Sequence, residues 1–313
     1  GNGVLLSGGR NASDHYLLGD DVFDVDVRLD LNARNGEAVF RRQIEPFLRL
    51  PIVQGFYPEE YSELKGFDDL SFVAEMNRLK ESYDLVQTFF STEYFNGKLD
   101  ETKTSSSHEY MVSHGVYLRN FGKRRPSLTR AVESLIKTAS KTITIANAYF
   151  IPHDGFNTLL KEKLKKRVPG ITGENIGEVD IAVYTNSFKS TYHTNVVHLM
   201  ESMVSDLLPL GLDLYLSQEG EVHAKTTAVD GRFVVVGAAN LDPRSSGAAD
   251  PRHKNRDTQN GVLLDSPEIA AQFEHTVEAR KERGGFKYIH KFPGFHPINA
   301  CIRALLSPIK GWF

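Results

Sequence analysis

The chain has 313 residues, of which 40% are hydrophobic and 25% are charged, a balance typical of a globular protein with one large core or two smaller ones. Its net charge of -3 disfavours a bulk electrostatic grip on nucleic acid, because such binders usually carry a clear basic excess. Cys301 is the single cysteine, which excludes a disulfide framework and a thiolate-rich metal site. The sequence contains no apolar run of about 18 residues, so we expect no transmembrane segment.

The predicted elements alternate between helix and strand over the second part of the chain. Residues 1–11 (GNGVLLSGGRN) combine an apolar strand with a glycine-rich turn, and the polar region 100–126 indicates a linker. The predicted helices are 127–140, 154–167, 193–211 and 266–285, and the predicted strands are 141–150, 179–186, 212–218, 219–229, 232–239 and 259–265. This alternation predicts an α/β fold with a mixed or mostly parallel sheet flanked by helices.

Two short stretches near the start recur later in the same order. VLLSGGRN (4–11) is similar to VVVGAAN (234–240), and FDVDVRLD (23–30) can be laid on TQNGVLLD (258–265). Such repetition predicts two similar lobes, although glycine-rich turns before strands also recur by chance.

The two predicted lobes divide the chain unequally. We expect residues 1–110 to hold the C-terminal part of a first lobe with a linker, and residues 111–313 to form a complete second lobe. Everything equivalent to residues 142–229 would then be missing from the first lobe. The simplest explanation is a chain that is a fragment, incomplete before Gly1.

One hairpin, VHAKTTAVDGRFVVVGAANLD (222–242), concentrates polar side chains. Side chains two apart on a strand share a face, so His223 and Lys225 are predicted to project together. An imidazole beside an ammonium disfavours a second positive charge, which favours an anion between them and a neutral, nucleophilic histidine. A half-buried structural histidine and a surface lysine are the alternatives for each residue taken alone.

The rest of the hairpin adds a turn and an amide. Asp230 and Gly231 form a strong turn pair, so Asp230 is expected to serve the turn and a local ion pair. Gly237 and the alanines after it remove bulk, so that a ligand can approach the backbone. Asn240 then follows, where its amide can donate to a phosphoryl oxygen, or act as a simple turn residue. A nucleophile, a cation and a neutral donor together favour phosphoryl-group chemistry.

The hairpin resembles the signature motif of the phospholipase D superfamily, H-x-K, four residues, D, six residues, G-[SG]-x-N. His223, Lys225, Asp230, Gly237 and Asn240 all match it. Ala238 departs from the pattern, because the family often has serine there. The segments NLDPRSS (240–246), ITIANAYFIP (143–152) and AVYTNSFKST (182–191) are similar to the cardiolipin synthase-like branch.

The resemblance implies a two-step phosphatidyl or phosphodiester transfer that uses no metal and no other cofactor. One histidine forms a phosphohistidine, and a second histidine, from the other lobe, protonates the leaving alcohol. The resemblance assigns catalytic roles to His223, Lys225, Asn240 and Asp230. In the first lobe it supplies only Asn11, since the partner histidine and lysine would lie before Gly1.

Further roles follow from the resemblance and from position. The expected substrate-binding residues are Asn11, Gly237, Ser245 and Tyr192, the last on a loop at a predicted strand end. The carboxylate that orients a catalytic histidine would be Asp24, with Asp26 second, whereas the second lobe offers Gln259 where the family commonly has glutamate. A metal site built from His223 with His193 or His198 is disfavoured, because Lys225 would repel a cation.

The expected partner is a phosphatidylglycerol-like phospholipid at a peripheral membrane surface, in a bacterial cell envelope or on its cytoplasmic face. Nucleic acid is not favoured, and the oligomeric state stays open. A nuclease of the same superfamily is one alternative to the lipid enzyme. A catalytically impaired phospholipid or anion binder is another, because Gln259 cannot stabilise an imidazolium by charge.

Overall fold

A computed structural model describes residues 3–8, 22–31, 114–120, 127–164, 179–246 and 259–292. The chain forms two compact units, one of residues 1–5 and 30–109 and the other of residues 6–29 and 110–313. Almost all of the described residues belong to the second unit. The lobe boundary at residue 110 and the linker stay predictions, and Asn11 lies outside the described residues.

The described elements are twelve strands, four α-helices and one short 3₁₀ helix. The strands are β1 (Gly3–Gly8), β2 (Val22–Phe23), β3 (Asp26–Leu31), β4 (His114–Asn120), β5 (Thr142–Asn147), β6 (Asp180–Thr185), β7 (Asp213–Ser217), β8 (Glu221–Val222), β9 (Lys225–Val229), β10 (Phe233–Gly237), β11 (Gln259–Asp265) and β12 (Phe286–Ile289). The helices are α1 (Ser127–Thr138), α2 (Asp154–Leu164), α3 (Thr194–Val204) and α4 (Pro267–Glu282), and the 3₁₀ helix is Leu208–Leu210.

Eight strands form one sheet in the order β12-β7-β6-β5-β9-β10-β11-β4. The neighbours β5, β6 and β7 are parallel and are connected by helices, whereas the other pairings of this sheet are antiparallel. Two smaller sheets pair β1 with β3, and β2 with β8. The predicted α/β fold with a mixed sheet flanked by helices is confirmed.

Helices cover both faces of the large sheet. Val234, Val235 and Val236 are consecutive on β10 and are each at most 3% exposed, although neighbouring strand residues point to opposite faces. Val235 belongs to the apolar cluster that includes buried residues of α1, α2 and α3. On α4, the buried side chains are Ala270, Phe273, Val277 and Arg280.

Two predicted elements differ from the observed ones. The predicted helix 193–211 ends at Val204 and is followed by the 3₁₀ helix, because Pro209 cannot continue an α-helical ladder and Gly211 takes a left-handed φ of 98°. The predicted strand 219–229 is split into β8 and β9. The break lies at His223 and Ala224. Within the described residues, no helix is long and apolar enough to cross a membrane.

Candidate functional site

His223 occupies the break between β8 and β9. Its backbone N–H and that of Ala224 both donate to the Phe23 carbonyl oxygen, at 2.8 and 3.0 Å. Phe23 also pairs with Val222, because β2 and β8 run parallel. The short strand β2 therefore accepts the backbone hydrogen bonds at the break. It also places the following residue, Asp24, next to His223.

The Asp24 carboxylate holds the imidazole of His223. Asp24 Oδ2 lies 2.9 Å from His223 Nδ1, and the two side chains are 0% and 8% exposed. An ionised carboxylate only accepts hydrogen bonds, so Nδ1 carries a proton. The contact thus orients the ring and leaves Nε2 as the nitrogen that faces away from Asp24.

Lys225, the first residue of β9, lies against the same ring. Its Nζ is 2.8 Å from Nε2 and 2.9 Å from Nδ1 of His223, and it donates to the His223 carbonyl oxygen at 2.6 Å. Burial lowers the pKa of Lys225 to about 8, although Asp24, Glu221 and other carboxylates act to raise it. A buried ammonium beside an imidazole is suited to hold an anion.

Asn240 follows β10 and faces the same region. Its Oδ1 is buried without a hydrogen-bond partner among the described residues. A cavity of about 30 Å³ lies beside it, and its polar lining consists of Thr129, Asn147, Lys225, Thr227, Asn240 and Ser246. That volume admits a water molecule but not a phosphodiester. The cavity is therefore a water-sized space that joins Lys225 to Asn240.

Two asparagines that the sequence analysis did not single out organise the surroundings. Asn147 Oδ1 accepts from the Leu241 N–H at 3.1 Å, and Asn147 is the cross-strand neighbour of Lys225. Asn186 brackets Val222 by accepting from its N–H at 2.7 Å and donating to its carbonyl at 2.9 Å. Asn186 ends the predicted strand 179–186, a position that could have identified it, whereas Asn147 lies within the predicted strand 141–150 and ends only the observed β5.

Asp230 lies at the far end of β9 from Lys225, away from the imidazole. Its carboxylate accepts from the backbone N–H groups of Ser140, Lys141 and Thr142 and from the Ser140 hydroxyl, at 2.7 to 3.1 Å. These bonds lower its pKa, although partial burial acts to raise it. With φ at 55°, Asp230 also adopts the left-handed conformation of the turn. These contacts fit the turn role that the sequence analysis gave it.

Replacing Asp230 with Asn is expected to destabilise the protein without a comparable effect on catalysis. Asparagine tolerates the positive φ but accepts fewer and weaker hydrogen bonds, so the thermal midpoint should fall by a few degrees, on the order of 2–4 °C per kcal/mol lost. The destabilisation should be seen at neutral pH and should disappear as the pH falls below 3.8, because the pKa of Asp230 is lowered from that value in the folded protein. Thermal melts across pH would check this, and a large loss of kcat with an unchanged melt would contradict it.

Three other residues expected at the site lie in different surroundings. Gly237 serves strand packing, since a Cβ there would lie 2.5 Å from the Asn260 carbonyl oxygen, although Gly237 also lines the cavity. Ser245 is buried and bonded to Asp242 through both its N–H and its hydroxyl. Tyr192 is 91% exposed. None of the three contacts His223 through a hydrogen bond among the described residues.

The two expected histidine-orienting residues differ in placement. Asp24 bonds the imidazole, whereas Gln259 begins β11 opposite Asn120 and makes no hydrogen bond to His223 in the described part of the chain. His193 is exposed, and its ring packs edge-on against Tyr149. The described residues contain no group of three or more His, Cys, Asp or Glu placed to hold a metal ion.

Comparison with known proteins finds one family. Residues 132–280 match the family model described as "Cardiolipin synthase, PLD-like domain". A protein of Helicobacter pylori (strain ATCC 700392 / 26695) is 23% identical, over 93% of this chain and 57% of its own length. Cardiolipin synthase 2 of Bacillus cereus is 30% identical, over 56% of this chain and 31% of its own length. The chain spans just over half the length of the Helicobacter pylori relatives.

Solved structures also resemble the chain. Phosphatidylserine synthase of Haemophilus influenzae Rd KW20 matches with a TM-score of 0.45 and 14% identity, over 69% of this chain and 51% of that one. Nuc, a phospholipase D family member of Salmonella typhimurium, matches with a TM-score of 0.39 and 15% identity, over 56% of this chain and 99% of that one. By the family match and the cardiolipin synthase relatives, residues 132–280 are similar to the phospholipase D-like domain of cardiolipin synthases.

Proposed function

We propose that this protein transfers a phosphatidyl group between alcohols, with a phosphatidylglycerol-like phospholipid as donor and His223 as the nucleophile. The observation that carries the proposal is that Asp24 Oδ2 lies 2.9 Å from His223 Nδ1, while Lys225 Nζ, which can only donate, lies 2.8 Å from Nε2. A buried, oriented and deprotonated imidazole nitrogen next to a cation meets the requirements for attack on a phosphodiester.

The first step forms a covalent phosphohistidine. His223 Nε2 attacks phosphorus, a P–N bond forms, and the P–O bond to the headgroup alcohol breaks. The leaving oxygen takes its proton from a second acid, which the family resemblance assigns to a histidine of a paired motif. In the second step an acceptor alcohol or water gives its proton to that same group and attacks phosphorus, and the P–N bond breaks.

Lys225 and Asn240 stabilise the phosphoryl oxygens during both steps. In the structure Lys225 donates towards Nε2, so the ammonium must shift from the ring to the phosphoryl oxygen as the substrate enters. The shift frees the lone pair of Nε2 at the moment when it is needed. The half-buried Asn240 amide, whose buried Oδ1 has no partner among the described residues, can turn its NH₂ group towards a second phosphoryl oxygen.

The pKa of Lys225 predicts an alkaline limit on activity. Only the protonated form neutralises phosphoryl oxygens, and burial lowers the pKa of this group to about 8 in the free protein. We therefore expect kcat/KM to fall tenfold per pH unit above about 8. Lys225→Arg should be slower overall, but its kcat/KM should no longer fall above about pH 8, because the guanidinium stays charged. An unchanged fall of kcat/KM in that variant would assign the titration to another group.

The proposal is tested by the products that the full-length protein releases. Vesicles containing phosphatidylglycerol should yield free glycerol or a new phospholipid, and alkaline denaturation during turnover should trap phosphorus label on His223. Single-stranded and duplex DNA, assayed in parallel, should remain intact. Cleavage of DNA without headgroup release would favour the nuclease alternative, and failure of both reactions would leave a phospholipid or anion binder.

A further inference from the structure

Exposed aromatic side chains are concentrated on one loop. Among the described residues, the exposed large hydrophobic side chains are Phe188 at 40%, Tyr192 at 91% and Tyr288 at 37%. Phe188 and Tyr192 both lie on residues 187–193, which connect β6 to α3 and are called the β6–α3 loop below. Lys189 lies between them and is also exposed, and the loop contains neither Asp nor Glu.

The β6–α3 loop begins at the candidate site. Asn186, the residue before the loop, bonds both backbone groups of Val222, which directly precedes His223. The strand β6 is also next to β5, and β5 is next to β9, which carries Lys225. Because parallel strands end at the same edge of a sheet, the loop leaves the sheet at the edge where the site lies.

The loop is held in a defined conformation by its own hydrogen bonds. The Ser187 hydroxyl donates to the Ser217 carbonyl at 2.6 Å, and the Ser187 N–H donates to the Ser190 hydroxyl at 2.9 Å. The His193 N–H donates to the Thr191 hydroxyl at 3.2 Å. The Phe188 ring packs 4.6 Å from the His198 ring yet stays 40% exposed, and Tyr192 is 91% exposed. An ordered loop that leaves this aromatic surface in water forgoes part of the free energy of burying it, which is typical of a surface that meets a partner.

We propose that the β6–α3 loop is the surface that docks the protein on an anionic phospholipid bilayer. This inference rests on the proposed function, since it names where the same site meets its lipid. Aromatic rings settle at the headgroup level of a bilayer, and a lysine beside them is attracted to anionic headgroups. The loop has no Asp or Glu that would repel anionic headgroups, although the whole chain is slightly acidic.

A protein partner fits the loop less well than a membrane does. A stable protein interface buries roughly 800 Å² on each partner and has a packed apolar centre. Two aromatic side chains separated by a lysine and hydroxyl residues are far smaller than such a patch. Shallow insertion of a few side chains into an interface is enough for peripheral membrane binding when a cation assists.

The test measures binding and turnover separately. Co-sedimentation of the full-length protein with phosphatidylcholine vesicles, with and without phosphatidylglycerol, should show binding only with the anionic lipid. Lys189→Glu should weaken that binding by about fivefold or more, since one cation near an anionic surface contributes about that factor. Phe188→Ser should weaken it by a similar factor. Lys137→Glu is the matched control, because Lys137 is exposed at the end of α1 and gives the same change of net charge.

Turnover of a short-chain, water-soluble phosphatidylglycerol separates docking from catalysis. Lys189→Glu and Phe188→Ser should keep wild-type rates on this substrate while losing activity on vesicles. Wild-type vesicle binding by both variants would overturn the docking surface, as would a change of oligomeric state with unchanged vesicle binding. If wild-type protein binds vesicles through the loop but turns over neither substrate, the docking surface stands and the proposed function fails.

Discussion

His223→Asn is expected to abolish phosphatidyl transfer, with a loss on the order of 10⁴-fold or more in kcat. The side chain of asparagine can still bond Asp24, but it offers no nitrogen lone pair with which to attack phosphorus. No phosphohistidine can form, so the label trapped at alkaline pH should disappear together with headgroup release. Measuring both signals on the same preparation connects the lost activity to the lost intermediate.

The choice of asparagine matters because the site is buried. Asp24 has 0% side-chain exposure and His223 has 8%, so His223→Ala would leave a carboxylate buried without its partner. Leaving a buried carboxylate without its donor typically costs about 1–3 kcal/mol or more, and an inactive alanine variant could simply be unfolded. Burial of the pair makes His223→Asn the more informative variant.

A second histidine provides the control for this experiment. The His198 side chain, on α3, is 16% exposed and lies 4.0 Å from Glu201. His198→Asn should therefore alter stability more than catalysis. If His223→Asn kept more than about one hundredth of the wild-type rate in a folded protein, the nucleophile would have to be another group, and the proposal would be falsified.

Local patterns predicted the hairpin well because they depend on neighbours in sequence. The turn at Asp230 and Gly231 uses positive φ values of 55° and 61°, which this residue pair adopts readily. The strands on either side follow from their apolar runs, and β9 and β10 pair in the antiparallel register that the turn sets. The alternation of helices and strands likewise predicted the mixed sheet.

Long-range contacts explain why the rest could not be predicted. The break at His223 depends on two hydrogen bonds to the Phe23 carbonyl, from a strand of two residues about 200 positions away. Sequence repetition placed Asp24 and Gln259 in equivalent positions of two lobes. It could not show that the Asp24 carboxylate lies on the imidazole of His223, since that contact depends on the pairing of β2 with β8.

Asp24→Asn is expected to lower kcat by about 10³ to 10⁴-fold while leaving the site assembled. An amide in place of the carboxylate can donate to Nδ1, which moves the imidazole proton to Nε2 and blocks the nucleophile. The same change removes a negative charge that acts to raise the pKa of Lys225. The alkaline limb of kcat/KM should therefore move below about 8, a shift that simple loss of structure would not produce.

Asp26→Asn is the matched control for this variant. Asp26 also acts to raise the pKa of Lys225, but it is exposed to solvent, which screens its charge. Its replacement should therefore shift the alkaline limb of kcat/KM only slightly and should keep most of kcat. Equal losses of kcat in the two variants would mean that both carboxylates act only through their negative charge near Lys225. A loss confined to Asp24→Asn would show that orientation of His223 is what the carboxylate supplies, because both variants remove one charge from the same region.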